Sequence, residues 1–482
     1  MRSGSELSLR ILLIDPPFQR FLGFHRYYYP MGLNYLAAVA RDLGHEVLVY
    51  DAEHMDEADT LPWEQAALRF DTWLHALEDP SHPLWLEAAQ TIEGFSPDLV
   101  GISSLSVKSP SARVIAGISK RVAPGVPVVV GGDHPTVWPD RFLGDSMIDM
   151  VVRGEGEATF AELLRELGKL TAQAGLDQVP AIAGLSIRRS DGSIEHGPDR
   201  PLIDDLDTLA FPDLDALHAL DTYRPVDLGA VIGMRGCPYR CAFCGVSTIW
   251  TNRVRFRSPS NVADELEYLA KRFNPPYFSF RDATFTLKRS WAEEVCREII
   301  ERGLVRPWEC VTRADTLDRQ LLELMRQAGC RTIRIGVESG SPRVLATMDK
   351  SIELEPILRA ARIMNEMGFY WSAYFLFGTP YETVESIEET MRFIDELDPP
   401  FVTVARFSPI PGTPYYNALE AQGLIHPDID WCFETNQSFQ SGYLFEIDPE
   451  KFESIMHDVT GRVMERNARK SRELGLSDGR LK

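Results

Sequence analysis

The stretch Met234-Arg-Gly-Cys-Pro-Tyr-Arg-Cys-Ala-Phe-Cys-Gly245 places three cysteines, Cys237, Cys241 and Cys244, in one short loop. Three thiolates that converge from one loop can hold a 4Fe-4S cubane and leave one iron without a protein ligand. A disulfide interpretation fails because three clustered cysteines leave one unpaired. A zinc site would need a fourth Cys or His nearby, and the sequence has none between Cys244 and residue 270. The loop therefore predicts a cluster with an open iron that binds a small chelating molecule.

The spacing Cys-x3-Cys-x2-Cys, with the aromatic Phe243 before the last cysteine, resembles the radical S-adenosylmethionine (SAM) superfamily. In that family the open iron chelates the amino and carboxylate groups of SAM. An electron from the cluster then cleaves SAM to methionine and a 5′-deoxyadenosyl radical. The resemblance implies that Cys237, Cys241 and Cys244 are metal ligands and catalytic residues, and that Phe243 lies against adenine. Packing alone would also explain Phe243.

Composition limits the classes of function. The chain of 482 residues can form two or three domains, and its 44% hydrophobic share is that of a globular protein. A net charge of −21 argues against nucleic-acid binding and favours small-molecule substrates. The apolar runs are too short to span a membrane, and the N-terminus lacks a signal-peptide core, which predicts a cytoplasmic protein. The remaining thiols are expected to be buried packing residues: Cys296, Cys310, Cys330 and Cys432.

Residues 9 to about 170 alternate between short apolar strands and helical stretches. This order predicts a parallel, doubly wound sheet, which binds ligands at the carboxyl edge of its strands. The predicted strands are 11–14, 46–51, 98–102, 128–130 and 150–152. Residues 183–196 have the pattern of a hairpin, and 171–225 as a whole predict an ordered linker.

The segments Pro30-Met-Gly-Leu33, Gly131-Gly-Asp-His134 and Gly154-Glu-Gly-Glu157 resemble the cobalamin-binding domain that some radical SAM enzymes carry. The resemblance implies a cofactor site at the strand ends, comprising Ser103, Gly131, Gly132, His134 and Gly154. The motif Asp-x-His-x-x-Gly is absent, so cobalamin would bind without a histidine below cobalt. That absence equally suits a domain that has never bound cobalamin. His134 could be an ordinary satisfied histidine, and bulky residues such as Tyr27–Tyr29 or Trp138 could fill the crevice.

From residue 226 the alternation resumes and predicts a partial (β/α)6 barrel with its chemistry at the carboxyl ends of the strands. The predicted strands are 229–234, 277–280, 309–312, 332–337, 371–377 and 402–407. A cluster of candidate residues follows each strand in turn: the cysteine loop, Arg281-Asp282, Arg313, Glu338-Ser-Gly340, Phe377-Gly-Thr-Pro380 and Pro409–Thr413.

Several of these residues would contact SAM if the resemblance holds. Arg334-Ile-Gly-Val-Glu338 loosely matches the family segment Gly-x-Ile-x-Gly-x-x-Glu, without its first glycine. The match implies that Glu338, with Ser339 beside it, binds the ribose or amino group. Arg313 could bind the methionyl carboxylate or form an ion pair with Asp315. Gly378 resembles the glycine that lets the backbone approach the ligand.

The predicted organisation has four parts: a cobalamin-binding-like Rossmann domain (1–175), a hairpin and linker (176–225), a radical SAM partial barrel (226–415) and an α-rich extension (416–482). The resemblance implies a 4Fe-4S cluster, SAM and possible cobalamin as cofactors, and a flavodoxin or ferredoxin as reductant. The first hypothesis is cobalamin-dependent methylation of a small metabolite. The second is dehydration, epimerisation or rearrangement of a sugar with the first domain empty. A protein with a purely structural cluster is a third, but the loop offers only three thiolates.

Overall fold

A computed structural model describes residues 7–55, 61, 69–170, 175–425 and 443–475. The chain divides into two compact units, Met1–Leu228 with Thr248–Trp250 and Gly229–Ser247 with Thr251–Lys482. The finer four-part division stays a prediction. Cys432 lies outside the described residues. Across the described ranges, no helix is long and apolar enough to cross a membrane.

The first unit contains a sheet with the strand order β2-β1-β3-β4-β5-β6-β7. Its strands are β1 (Arg10–Asp15), β2 (Glu46–Asp51), β3 (Leu99–Ser103), β4 (Val128–Gly131), β5 (Met150–Val152), β6 (Leu185–Arg188) and β7 (Ile194–His196). Its helices are α1 (Met31–Asp42), α2 (Phe70–Glu78), α3 (Pro83–Phe95), α4 (Ser109–Val122), α5 (Asp133–Val137), α6 (Pro139–Leu143) and α7 (Gly156–Leu167).

The strand order confirms the predicted doubly wound sheet. Strands β1 to β5 pair in parallel, and Ile11–Ile14 of β1 is fully buried, as expected for a strand covered on both faces. The chain moves from β1 to β2 on one side and then returns to β3 on the other, so the order reverses between β1 and β3. Loops at such a switch point diverge and leave a crevice at the carboxyl edge.

The predicted hairpin exists, but it extends the first sheet and is not part of a linker. Strand β6 pairs antiparallel with β5, and β7 pairs antiparallel with β6. Leu185 and Ile187 alternate along β6 and are both buried. Because their apolar side chains lie on one face of the strand, pairing with β5 adds them to the core of this unit. The sequence alone did not show that the hairpin would find this partner.

The second unit contains a six-stranded sheet with the sequential order β15-β14-β13-β12-β11-β8, in which all neighbours are parallel. The barrel strands are β8 (Ala230–Val231), β11 (Phe278–Phe280), β12 (Trp308–Thr312), β13 (Cys330–Glu338), β14 (Tyr370–Phe377) and β15 (Phe401–Arg406). A two-stranded ribbon is formed by β9 (Met234–Arg235) and β10 (Arg255–Phe256). Sequential parallel strands joined by helices form the predicted partial barrel.

The helices of the second unit occur mostly between the barrel strands. They are α9 (Pro259–Arg272), α10 (Arg289–Glu301), α11 (Arg319–Gln327), α12 (Pro342–Thr347), α13 (Leu354–Glu366), α14 (Val384–Leu397), α15 (Pro414–Ala421) and α16 (Pro449–Glu473). The short helix α8 (Val246–Trp250) is divided, since Thr248–Trp250 belongs to the first unit. Cys296, Cys310 and Cys330 are buried, as predicted. Arg257 is paired within the chain, since it contacts Glu265 and donates to the Ile232 carbonyl at 2.8 Å.

The first barrel strand is shorter than the predicted 229–234. The buried carboxylate of Asp282 accepts from the backbone nitrogens of Gly233 at 2.8 Å and Met234 at 2.6 Å. These two bonds end the pairing of β8 and turn the chain into β9. Asp282, which follows the second barrel strand β11, therefore directs the cysteine loop away from the first barrel strand β8.

The long helix α16 covers the edge strand β15. The Asn467 amide accepts from the Val402 nitrogen at 3.0 Å and donates to the Val402 carbonyl at 2.8 Å. Arg406 on the same strand donates to Glu453 of the helix at 2.7 and 2.8 Å. Side chains thus replace the next strand that a closed barrel would supply.

Replacing Asn467 by Ala should destabilise the second unit by about 1–3 kcal/mol, because both backbone groups of the buried Val402 lose their partners. Chemical denaturation followed by circular dichroism measures this change. Arg469→Ala, an exposed residue of the same helix, is the matched control and should have little effect. Equal stability of both variants would show that Asn467 does not hold the edge.

Candidate active site

The cysteine loop is held at its base by the β9–β10 ribbon. Arg235 pairs with Arg255, and Gly236 follows with a φ of 93°. A Cβ atom at Gly236 would lie 2.1 Å from the Arg253 carbonyl oxygen, so only glycine fits there. The glycine in Met-Arg-Gly-Cys is therefore explained by the close approach of the two ends of the loop.

The three thiols of the loop influence one another. Burial raises the pKa of Cys241 to about 11, with Cys244 and Cys237 adding to the rise and Lys350 opposing it. Burial also raises the pKa of Cys244, and Cys237 again adds to the rise. Each of the three side chains is only partly buried. They therefore form one cluster of donors that an external group can reach.

The chemistry of the three thiols is that of cluster ligands. Among the residues that the structure describes, no group of three His, Cys, Asp or Glu side chains could hold one metal ion. In a cubane each thiolate binds a different iron, so the three sulfurs need not meet at one point. The donor set fits a 4Fe-4S cluster.

Glu338, the last residue of β13, has a φ of 69°, which is rare for a residue other than glycine. The pairing of β13 with β14 shifts register between Gly336 and Glu338. The Glu338 carboxylate accepts from the Lys350 ammonium at 2.9 Å, and both side chains are largely buried. A Cβ at Gly336 would lie 2.4 Å from the Glu338 Oε1 atom, so this glycine makes room for the ion pair.

Lys350 is a site residue that the sequence analysis missed. Its ammonium lies 5.9 Å from the ring centroid of Phe243, and it opposes the rise in pKa of both Cys241 and Cys244. It therefore places a positive charge beside the predicted cluster ligands. Lys350 lies in the loop after α12 and belongs to no recognisable motif. In the sequence, only its position in the segment that follows Glu338 could have indicated that this lysine belongs to the site.

Ser339 and Arg313 have partners within the protein. The Ser339 hydroxyl lies 3.0 Å from that of Thr390 and accepts from the Ser341 nitrogen at 3.1 Å. Arg313 forms the ion pair with Asp315 that the sequence allowed, at 2.8 Å. Contacts of either residue with SAM stay predictions.

Gly378 follows β14 directly, with a φ of 86°. A Cβ there would lie 2.9 Å from the Phe452 ring of α16, which accounts for the glycine by internal packing. The Gly378 nitrogen donates to the Glu382 carboxyl group at 2.5 Å. Burial raises the pKa of Glu382 to about 8, despite the backbone N–H groups of Gly378 and Thr379. A neutral carboxylic acid therefore shapes the turn after the fifth barrel strand.

The fold should become less stable as the pH rises, partly because of Glu382. The unfolded side chain ionises near pH 4.5 but the folded one keeps its proton to about pH 8, so the free energy of unfolding should fall between these values. Gln keeps an acceptor and cannot ionise. Glu382→Gln should therefore flatten this fall, measured by urea unfolding at several pH values. Glu385→Gln, an exposed residue of α14, should retain the wild-type slope; a wild-type slope in Glu382→Gln would contradict the assignment.

The small residues predicted to bind cofactor in the first unit lie at the ends of β3, β4 and β5. Ser103 ends β3, Gly131 ends β4, and Gly154 follows β5. Gly132 has a φ of 114°, and a Cβ there would lie 2.7 Å from the Ser104 carbonyl oxygen. Gly154 has a φ of 73° and open space where a Cβ would lie. The missing side chain at Gly154 leaves the backbone accessible at this point of the sheet edge, which fits a cofactor held by backbone contacts.

His134 is buried and packed within this unit. Its ring lies edge-on to Trp138 and Phe142, and its Nδ1 atom lies 3.1 Å from the Ser106 hydroxyl. Burial lowers the pKa of His134 to about 3. The His134 side chain therefore stabilises the loop after β4 by internal packing. This agrees with the alternative in which His134 is an ordinary histidine whose contacts lie within the protein. Contact with a cofactor stays a prediction.

The ends of β1 and β2 carry buried ion pairs. Asp15 contacts Arg26 and accepts from Lys108 at 2.7 Å, and Asp51 accepts from Arg26 at 2.8 Å. Tyr29 is fully buried, whereas Tyr27 and Tyr28 are partly exposed. Charged pairs therefore occupy the edge of the sheet at the ends of β1 and β2.

Comparison with known proteins agrees with a thiol cluster in the second unit and a candidate cofactor site at the sheet edge of the first. The family model of the radical SAM superfamily matches residues 231–394, and that of the B12 binding domain matches residues 24–164. The chain has the fold of an enzyme with a radical SAM barrel behind an N-terminal B12-binding domain.

Two relatives align over most of their length. An uncharacterized methyltransferase of Pyrococcus horikoshii is 32% identical over 86% of this chain and 84% of the relative. Cytidylyl-2-hydroxyethylphosphonate methyltransferase of Streptomyces wedmorensis is 28% identical over 87% and 83%. Among solved structures, the radical SAM methyltransferase TsrM from Kitasatospora setae, with cobalamin and a 4Fe-4S cluster bound, has a TM-score of 0.65. That match has 22% identity, covers 86% of this chain and 75% of the other, and shows the fold. The chain belongs to the radical SAM superfamily, to the class with an N-terminal B12-binding domain.

Proposed function

We propose that this enzyme is a cobalamin-dependent radical SAM methyltransferase that modifies a small molecule. The observation that carries the proposal is the three-thiol loop at the carboxyl edge of the barrel, next to the buried Glu338–Lys350 pair. The methyltransferase names of the two aligned relatives favour methylation. Nothing of comparable weight supports the alternative of dehydration, epimerisation or rearrangement with the first domain empty.

The chain's own residues divide between two tasks. Cys237, Cys241 and Cys244 would hold the 4Fe-4S cluster, and Glu338 would accept hydrogen bonds from the ribose or amino group of SAM. Ser103 and the glycines at the ends of β4 and β5 would lie against the corrinoid. When bound, the cluster supplies the electron that cleaves SAM, and cobalamin supplies a carrier for the methyl group.

An electron donor is also required, because the cluster must be reduced before it can deliver the electron that cleaves SAM. We propose a flavodoxin or ferredoxin for this role. A cytoplasmic location would suit the free thiols and the cluster.

The test is product analysis with anaerobically reconstituted protein, SAM, a reductant and candidate small molecules. The proposal expects 5′-deoxyadenosine and S-adenosylhomocysteine together, with a methylated product only when hydroxocobalamin has been supplied. Without a small molecule, SAM should still be cleaved slowly to 5′-deoxyadenosine. Full turnover by corrinoid-free protein would overturn methylation and favour the alternative.

Replacing Cys237, Cys241 and Cys244 together by Ala should abolish iron binding and the broad charge-transfer absorbance, because the three principal ligands are lost. Iron and sulfide analysis after reconstitution measures the effect. Cys310→Ala, a buried thiol outside the loop, should keep a full complement of iron. Retention of a complete cluster by the triple variant would refute the site.

Reconstitution with hydroxocobalamin should give a stable one-to-one complex without a histidine ligand to cobalt, since the His134 ring is packed inside the first unit. Paramagnetic resonance of the Co(II) state should therefore lack coupling to a ligand nitrogen from the protein. His134→Gln should give the same spectrum as the wild type. A nitrogen signature that disappears in His134→Gln would show that the histidine moves to the metal.

A further inference from the structure

The Arg313 guanidinium is committed to partners within the protein. Its Nε and Nη2 atoms donate to the two Asp315 oxygens at 3.0 and 2.8 Å. Its Nη1 atom donates to the Lys350 carbonyl at 2.9 Å, and Nη2 also donates to the Ser351 carbonyl at 3.0 Å. These bonds use four of the five N–H groups of the guanidinium: one on Nε, one on Nη1 and two on Nη2. Little of the planar fork is left for the carboxylate of a ligand.

The same guanidinium contacts the cysteine loop. It lies over the Tyr239 ring, 3.7 Å from the centroid, between Cys237 and Cys241 in the chain. The loop makes a second contact nearby, because the Ala242 nitrogen donates to the Met348 carbonyl at 2.7 Å. The cysteine loop and the segment 348–351 are therefore joined through both side-chain and backbone contacts.

Lys350 projects from a backbone that needs support. Its neighbours Asp349 and Ser351 have φ values of 48° and 51°. This left-handed region is uncommon for residues other than glycine, and surrounding contacts must stabilise it. Arg313 holds two successive carbonyls of this segment. One of the three Lys350 donors binds Glu338, which leaves donors for an anion at the same place.

We propose that Arg313 is a positioning residue that couples the cysteine loop to Lys350, and that the Lys350 ammonium is the cation that the SAM carboxylate meets. The inference rests on the proposed function only in taking SAM as the ligand. It replaces the direct contact of Arg313 with the carboxylate that the sequence suggested. Arg313 then acts through Tyr239 on one side and through the backbone of Lys350 on the other.

The first experiment measures how fast a chelator removes iron from reconstituted protein without SAM. Arg313→Gln and Tyr239→Leu should each lose iron several-fold faster than the wild type. The double variant should resemble the single ones, because the two residues act through one contact. Arg319→Gln, an exposed arginine of the same unit, is the control and should lose iron at the wild-type rate.

The second experiment measures SAM affinity by equilibrium dialysis of the reconstituted, oxidised protein. Lys350→Met should raise the Kd for SAM by about tenfold or more, as expected for the loss of a charge-assisted bond, with unchanged iron retention. Lys350→Arg keeps the charge and should recover much of the affinity. Arg313→Gln should raise the Kd as well, together with its loss of iron.

The opposite pattern would overturn the proposal. If Arg313→Gln weakened SAM binding with normal iron retention while Lys350→Met bound SAM normally, Arg313 would be the direct ligand. If Arg313→Gln failed to fold, Tyr239→Leu and the two Lys350 variants would still decide. Neither measurement requires methyl transfer, so failure of methylation and failure of this coupling are distinguishable.

Discussion

Two hydrogen bonds to one buried carboxylate support the chemistry of the second unit. Asp282 accepts from the nitrogens of Gly233 and Met234, and in doing so it turns the chain from β8 into the ribbon that holds the cysteine loop. Burial raises the pKa of Asp282 to about 7, so the group that accepts both hydrogen bonds of the turn ionises near neutrality. The cluster ligands come from one loop, and their geometry depends on how that loop leaves the first barrel strand.

Around this turn, residues distant in sequence converge because parallel strands end at one edge. Glu338 comes from the end of β13, Arg313 from the end of β12, and Lys350 from the loop after α12. Contacts run without a break from Asp315 through Arg313 and the Lys350 backbone and side chain to Glu338. A site of this kind resists distortion, since a change at one residue is opposed by the partners of the next. Binding and radical cleavage of SAM need such fixed geometry.

Much of this architecture could be predicted from the sequence, because apolar periodicity reports which faces are buried. The barrel strands follow the alternation well, but the first is shorter than predicted, and the cysteine loop follows the ribbon strand β9 instead of β8. The hairpin of β6 and β7 was recognised but assigned to a linker, since its pairing with the distant strand β5 leaves no local signal. Lys350 was missed for a similar reason: it lies in a strained loop that matches no motif, and its contact with Glu338 leaves no local signal in the sequence. Arg313 had a recognisable chemistry, but the sequence could not show that its donors were already used.

The cover of the edge strand has a consequence for synthesis. Strand β15 ends at Arg406, whereas the side chain that pairs with its Val402 is Asn467, some sixty residues later in the chain. On the ribosome, the barrel strands can assemble before that helix has emerged, and they then display an unprotected edge. A nascent enzyme in this state could pair with a neighbouring chain. Slow elongation between residues 406 and 467 would lengthen the exposure, so the yield of native protein should depend on translation rate and chaperone supply.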